Sequence, residues 1–152
     1  YIYDRVPDNE LKTLQNECGV HLCPSESEGF GHYINEAMSC KSVVLTTAGP
    51  PMNELIDHTR GLLCRYERKE RQKLATAFFV TPETLKESVE IAMKLPDQSY
   101  VEMGEKAREF YLANDLFFRQ SFVCLLEKCT AHSKHRYNPT FATRGHSEFK
   151  RR

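Results

Sequence analysis

The stretch Val20-His21-Leu22-Cys23-Pro24-Ser25-Glu26-Ser27-Glu28-Gly29-Phe30-Gly31-His32-Tyr33-Ile34-Asn35-Glu36 decides the fold. Val20 to Cys23 reads as a short strand that Pro24 ends. Ser25 to Gly31 is a polar turn with two glycines, and a helix is predicted from about His32 to Ser39. Strand end, glycine-bearing turn and helix N-terminus together build an anion site in an α/β sheet. The amides of Phe30, Gly31, His32 and Tyr33 are expected to face the crevice, with the positive end of the helix dipole behind them. Gly29 and Gly31 leave room for a phosphate to approach. The stretch is not a G-x-G-x-x-G dinucleotide pattern, and no Gly-rich run precedes Lys41-Ser42 as a phosphate-cradling loop requires.

Working outward, a helix capped by Asp8, with Leu11 and Leu14 on one face, is predicted to close at Cys18-Gly19. Ser42 to Thr47 is β-branched and nearly continuous in apolar character, as a strand covered on both faces would be. Ala48-Gly49-Pro50-Pro51 is a tight loop, and Pro51 suits the first turn of a helix running through Glu54, Leu55 and Ile56. Gly61 to Cys64 is a brief strand, Arg65 to Lys73 a solvated charged loop, and Ala77 to Val80 a further extended piece. Thr81-Pro82-Glu83-Thr84 carries a capping signature for a helix whose apolar stripe is Leu85, Val89, Ala92 and Met93. Two more helices are predicted, from about Ser99 to Leu112 and from about Asp115 to Cys129, the last with Phe118, Phe122, Leu125 and Leu126 on its buried side.

This alternation predicts an α/β domain with a parallel sheet, a partial Rossmann-like doubly wound fold. Few strands are visible and the first begins almost at the N-terminus, so the chain reads as the second half of such a domain. The domain is expected over residues 1–132, and residues 133–152, which lack periodicity, as a flexible basic tail with one anchor at Tyr137 to Phe141.

At 152 residues, 40% hydrophobic and 28% charged, the chain is long enough to bury a core without disulfides. Twenty-one basic residues balance 21 acidic ones, which argues against a surface tuned to nucleic acid. Residues 1–132 carry 15 basic against 20 acidic side chains, whereas the tail carries 6 against 1. None of the 6 cysteines forms a CxxC pair, so core thiols in a reducing compartment are expected. No apolar run reaches the length of a transmembrane segment, and the histidines and cysteines do not cluster at zinc spacing, so no metal is expected.

Glu28 and Glu36 stand seven residues apart across the Gly-Phe-Gly turn, one before the predicted helix and one about a turn into it. A carboxylate on a sheet-edge helix can accept both hydroxyls of a ribose, while one in the turn can face a reacting group. Glu28-Gly29-Phe30-Gly31, Glu36-Ala37-Met38, the Val-rich strand, Ala48-Gly49-Pro50, Glu54-Leu55-Ile56 and Gly61-Leu62-Leu63 together resemble the donor-binding core of retaining GT-B glycosyltransferases with the E-x7-E motif. The likeness is close over about residues 14–64 and topological from there to about residue 130.

The resemblance implies the C-terminal half of a GT-B fold that binds a nucleotide diphosphate sugar as donor substrate, without a cofactor. It implies that Glu36 holds the ribose hydroxyls and that Glu28 is catalytic, beside the transferred sugar. Gly29, Phe30, Gly31, His32 and Tyr33 then form the phosphate and sugar subsite, Gly49 lies in a loop closing on the donor, and Glu54 follows that loop. It further implies an upstream N-terminal acceptor domain, an acceptor that is a glycan, lipid or protein, and a cytoplasmic setting that includes the cytosolic face of a membrane. The family's Arg and Lys for the diphosphate are expected earlier in the domain, so these 152 residues alone are expected to turn over negligibly. Lys41 stands where the family has Gly, implying a different helix exit, and Pro50 replaces the second Gly of the loop. The competing reading is a non-catalytic nucleotide-sugar-binding or protein-interaction remnant. A phosphatase-like or response-regulator-like domain needs an acidic nucleophile at the strand end, where Pro24-Ser25 offers none.

Overall fold

The computed structural model describes residues 5–136. It divides into two compact units, Tyr1–Asn114 and Asp115–Arg152. In the first, β1 (Val20–Cys23), β2 (Val43–Thr47) and β3 (Gly61–Cys64) form a parallel sheet in that order. Leu22 lies beside Leu45, and Leu45 beside Leu62. Every residue of β2 is buried, as its unbroken apolar and β-branched run predicts for a central strand.

Pairing and alternation assign the two faces of the sheet. Cys23 and Val44 point to one face, where they pack with Ile34, Ala37 and Met38 of α2 (His32–Ser39), Met52 of α3 (Met52–Leu55) and Ile56. Ala107 of α5 (Asp97–Arg136) joins the same core. Cys64, beside Thr47 and hence on the other face, meets Thr84 of α4 (Pro82–Met93). Helices therefore cover both faces of a parallel sheet, a Rossmann-like arrangement. Upstream, α1 (Asp8–Glu17) buries none of its residues, and Pro7, not Asp8, occupies its N-cap.

Four expectations are corrected. Arg65 to Lys73 is not a solvated loop, because Arg68–Gln72 is β4, paired antiparallel with β5 (Ala75–Phe79). All five β4 residues are exposed, so the strand carries no apolar alternation to reveal it, and the buried residues lie on its partner. The helices expected before and after residue 114 are one, α5; Asn114-Asp115 is no breaker without Gly or Pro, and Arg119 pairs with Asp115 at 2.8 Å. Phe118, Phe122, Leu125 and Leu126 are exposed, because a periodic apolar stripe does not itself supply a layer to cover it. In α4 the buried row is Thr84, Ser88 and Ala92, whereas Met93 is exposed. Thr81 and Thr84 form the capping box that the sequence predicts.

The exit of α2 also differs from its reading. Lys41 keeps the left-handed exit, at φ 60°, with Lys41 N–H donating to the Met38 carbonyl and Ser42 N–H to that of Ala37. This is a Schellman motif, built on lysine where glycine is usual. Lys41 Nζ bridges to Glu105 at 2.7 Å, and Arg108 Nη1 donates to the Ser39 carbonyl at 2.5 Å. Thus α5 secures the end of α2.

No disulfide forms among the described residues, and of the six cysteines only Cys23 and Cys64 are buried, so the core-thiol reading holds for those two. Among the described residues no helix is long and apolar enough to cross a membrane. Of the tail expected over 133–152, residues 133–136 belong to α5; the Tyr137 to Phe141 anchor lies outside the described residues.

Candidate functional site

The site forms at the C-terminal ends of β1 and β2, where a doubly wound sheet opens its crevice. After β1, Ser25 Oγ donates to Glu28 Oε1 at 2.7 Å, and the Tyr33 hydroxyl donates to the same oxygen. Glu28 is thus gripped on one oxygen by its own turn and by the first turn of α2. Burial, with the Glu28 bond adding to it, pushes the Tyr33 phenol up to about 12, so it stays a donor at neutral pH. Cys23, beneath the turn, is pushed up to about 12 by burial and by the charge of Glu28, which keeps it an unreactive thiol.

Gly31 begins α2 at φ 71°, and a Cβ there would sit 2.8 Å from Leu55 Cδ1. The left-handed backbone requires glycine, whereas the contact with the end of the Leu55 side chain could be relieved by a small shift. Asn35, buried in α2, donates Nδ2 to the Gly31 carbonyl at 2.9 Å and to that of Phe30 at 3.2 Å, which fixes the turn from below. Gly29 is open on its Cβ side. Phe30 is exposed, its ring tilted against His32 at 4.9 Å between centroids. His32 and Tyr33 are exposed at the helix opening.

Glu36 is exposed on α2, where Gln15 Nε2 donates to its Oε2 at 2.7 Å. His21 approaches the carbonyl of the same Gln15 through Nε2 at 3.1 Å. On the other side of the turn, Glu28 and Glu54 line one cavity of about 320 Å³ with Ser27, Pro50, Pro51, Ala75, Thr76 and Phe78. Glu36 is not among those lining residues. The Pro50–Pro51 peptide is cis. Gly49 is buried, and the space a Cβ would take is filled by the Phe78 ring.

Glu54 is steadied through its helix. Arg60 Nε donates to the Leu55 carbonyl at 2.7 Å, its Nη1 reaches Asp57 Oδ2 at 2.6 Å, and its guanidinium lies 4.0 Å over the Phe110 ring. Asp57 is held below the usual carboxylate range, chiefly by its bonds from Thr59 and also by the charges of Arg60 and His58.

The structure brings Glu28, Pro50 and Glu54 together around one cavity and leaves Glu36 outside it, beside Gln15. Ser25, Asn35, Gln15, Thr76 and Phe78 are additions. Asn35 was detectable as a lone polar residue in an apolar stripe, and Ser25 as a hydroxyl three residues before Glu28. Nothing in the sequence flags Thr76. Among the described residues no group of His, Cys, Asp and Glu could hold a metal ion.

No curated protein matches the chain. The family model for glycosyl transferases group 1 matches residues 1–110, most of the chain, and spans the sheet, the Glu28 turn and the hairpin. With that match and a parallel sheet flanked by helices, the chain belongs to the glycosyl transferases group 1, a GT-B glycosyltransferase family.

Proposed function

We propose that this chain is the donor-binding part of a retaining glycosyltransferase, moving a sugar from a nucleotide diphosphate sugar to an acceptor. The observation that carries this reading is the grip of Ser25 and Tyr33 on one oxygen of Glu28, at the opening of α2. That grip leaves the second oxygen of Glu28 for a ligand in the cavity it shares with Glu54. Glu36 and Gln15 form the ribose end, with Glu36 accepting the two hydroxyls. The amides of Gly31, His32 and Tyr33, backed by the α2 dipole, take the diphosphate, and Gly29 and Phe30 border it. The loop containing Gly49 and the helix containing Glu54 close the sugar end.

In the reaction the bond from the anomeric carbon to the diphosphate breaks, and the electron pair leaves on the diphosphate. A bond from that carbon to the acceptor oxygen replaces it, the acceptor hydroxyl's O–H bond breaking and its proton passing to the departing diphosphate oxygen, with configuration retained. Glu28 stabilises the positive charge that develops on the sugar. The acceptor is held by a separate domain.

Calorimetric titration of the uridine, guanosine and adenosine diphosphates and their sugar conjugates tests the reading. Glu36→Ala should weaken the tightest ligand by roughly tenfold or more, about 1.4 kcal/mol, with an unchanged thermal melt. Equal affinities for the two proteins would refute it.

A further inference from the structure

The β4–β5 hairpin is fastened to the site at two points. Phe78 N–H donates to the Glu26 carbonyl at 2.7 Å, in the turn that carries Glu28. The Phe78 ring fills the space over Gly49, in the loop that leads to Glu54. Between these fastenings and the hairpin end, Thr76 lines the cavity. We infer that this hairpin is the wall that selects the transferred sugar, that Thr76 is its specificity-determining residue, and that the cavity takes an uncharged hexosyl group. This rests on the donor-site reading above and adds to it the class of sugar.

The chemistry of the lining supports that class. Glu28 and Glu54 are acceptors, and the Thr76 hydroxyl both donates and accepts, which suits a ring that presents several hydroxyls. Pro50, Pro51 and Phe78 offer apolar surface to the C–H faces of such a ring. Among the described residues no Lys, Arg or His lines the cavity, so a uronic acid would bring a third carboxylate against two others with no cation among them to meet it. Arg71 lies opposite Thr76 across the hairpin, but its Nε donates to the Lys73 carbonyl at 3.4 Å, within the hairpin's own turn. At about 320 Å³ the cavity is at the small end of the roughly 300–1,000 Å³ of ligand pockets, room for a ring and not for a whole sugar nucleotide.

The test compares, on the full chain, the affinity for a nucleoside diphosphate with that for its hexosyl conjugates. The uridine, guanosine and adenosine diphosphates are titrated first, then the glucosyl, galactosyl, mannosyl and glucuronosyl conjugates of the tightest. At least one neutral hexosyl group should add roughly tenfold in affinity over the bare diphosphate, and the glucuronosyl group should add nothing. Thr76→Arg, which fills the cavity, should abolish the hexosyl gain while diphosphate affinity stays within about twofold. Thr76→Val, nearly isosteric, should reduce the gain or change which hexose is preferred. Leu74→Ser, at a fully exposed hairpin residue outside the cavity, should change neither affinity. A hexosyl gain that survives Thr76→Arg, or an equal gain from glucuronosyl, overturns the inference and leaves the donor-site reading standing. Failure of the wild-type chain to bind any diphosphate or conjugate overturns both.

Discussion

Thr47 ends the central strand with its Oγ1 buried and, among the described residues, without a hydrogen-bond partner, whereas neighbouring Thr46 donates to the Cys23 carbonyl at 2.8 Å. A buried hydroxyl that exchanges water for nothing costs about 1–3 kcal/mol. Valine has nearly the same shape and keeps the β-branch that suits a strand. Thr47→Val should therefore stabilise the fold by about 1 kcal/mol, read as a higher urea midpoint at unchanged slope. Thr46→Val should do the opposite, since it removes one of the two donors to the Cys23 carbonyl, the other being Ser25 N–H at 2.8 Å. Individual side chains of this kind are poorly legible in sequence. Thr46 and Thr47 are adjacent and identical, and only the pleat decides which one finds a carbonyl.

Elements were legible where their own residues carry the reason for their boundaries. The bounds of α2 and β3 coincide with their sequence predictions because Gly31 marks the start of the helix and Gly61 begins a short apolar run. β4 was hidden because its pairing energy comes from β5, and α5 was divided because Asn114-Asp115 looks like punctuation and is not. Gly104 shows how an element can depend on a contact far away in sequence. A Cβ there would run into the Lys41 carbonyl oxygen, in the left-handed exit of α2. Gly104→Ala should therefore destabilise the fold by about 1–3 kcal/mol through overpacking against backbone, even though alanine is the better helix former by about 1 kcal/mol. A chemical melt measures it, and an increase in stability would show that α5 can move off the α2 exit at no cost.

On the scale of the whole molecule, the chain carries 21 basic and 21 acidic groups, so its net charge near neutrality is small and acid removes the balance quickly. The same scale explains why the candidate site was half legible. Glu28 to Glu36 is one continuous run, but the cavity wall opposite it comes from Pro50, Glu54 and Thr76, brought in by sheet order and a hairpin. Asp57 couples that assembly to global stability through the proton. Its bonds from Thr59 and Arg60 lower its folded pKa below the ordinary 3.8, so the unfolded chain binds its proton more readily than the native one. Its contribution is then fully present above pH 3.8 and is lost as pH falls through the lowered folded value. Asp57→Asn removes that linkage and leaves the other carboxylates in place, so their shared acid sensitivity cancels in the comparison. The difference in melting temperature between the wild type and Asp57→Asn should stay constant from about pH 7 to pH 5 and contract below about pH 4. A gap that widens steadily with acid would mean that the native state binds the proton more tightly, and that the Arg60 anchor beneath Glu54 does not depend on the Asp57 charge.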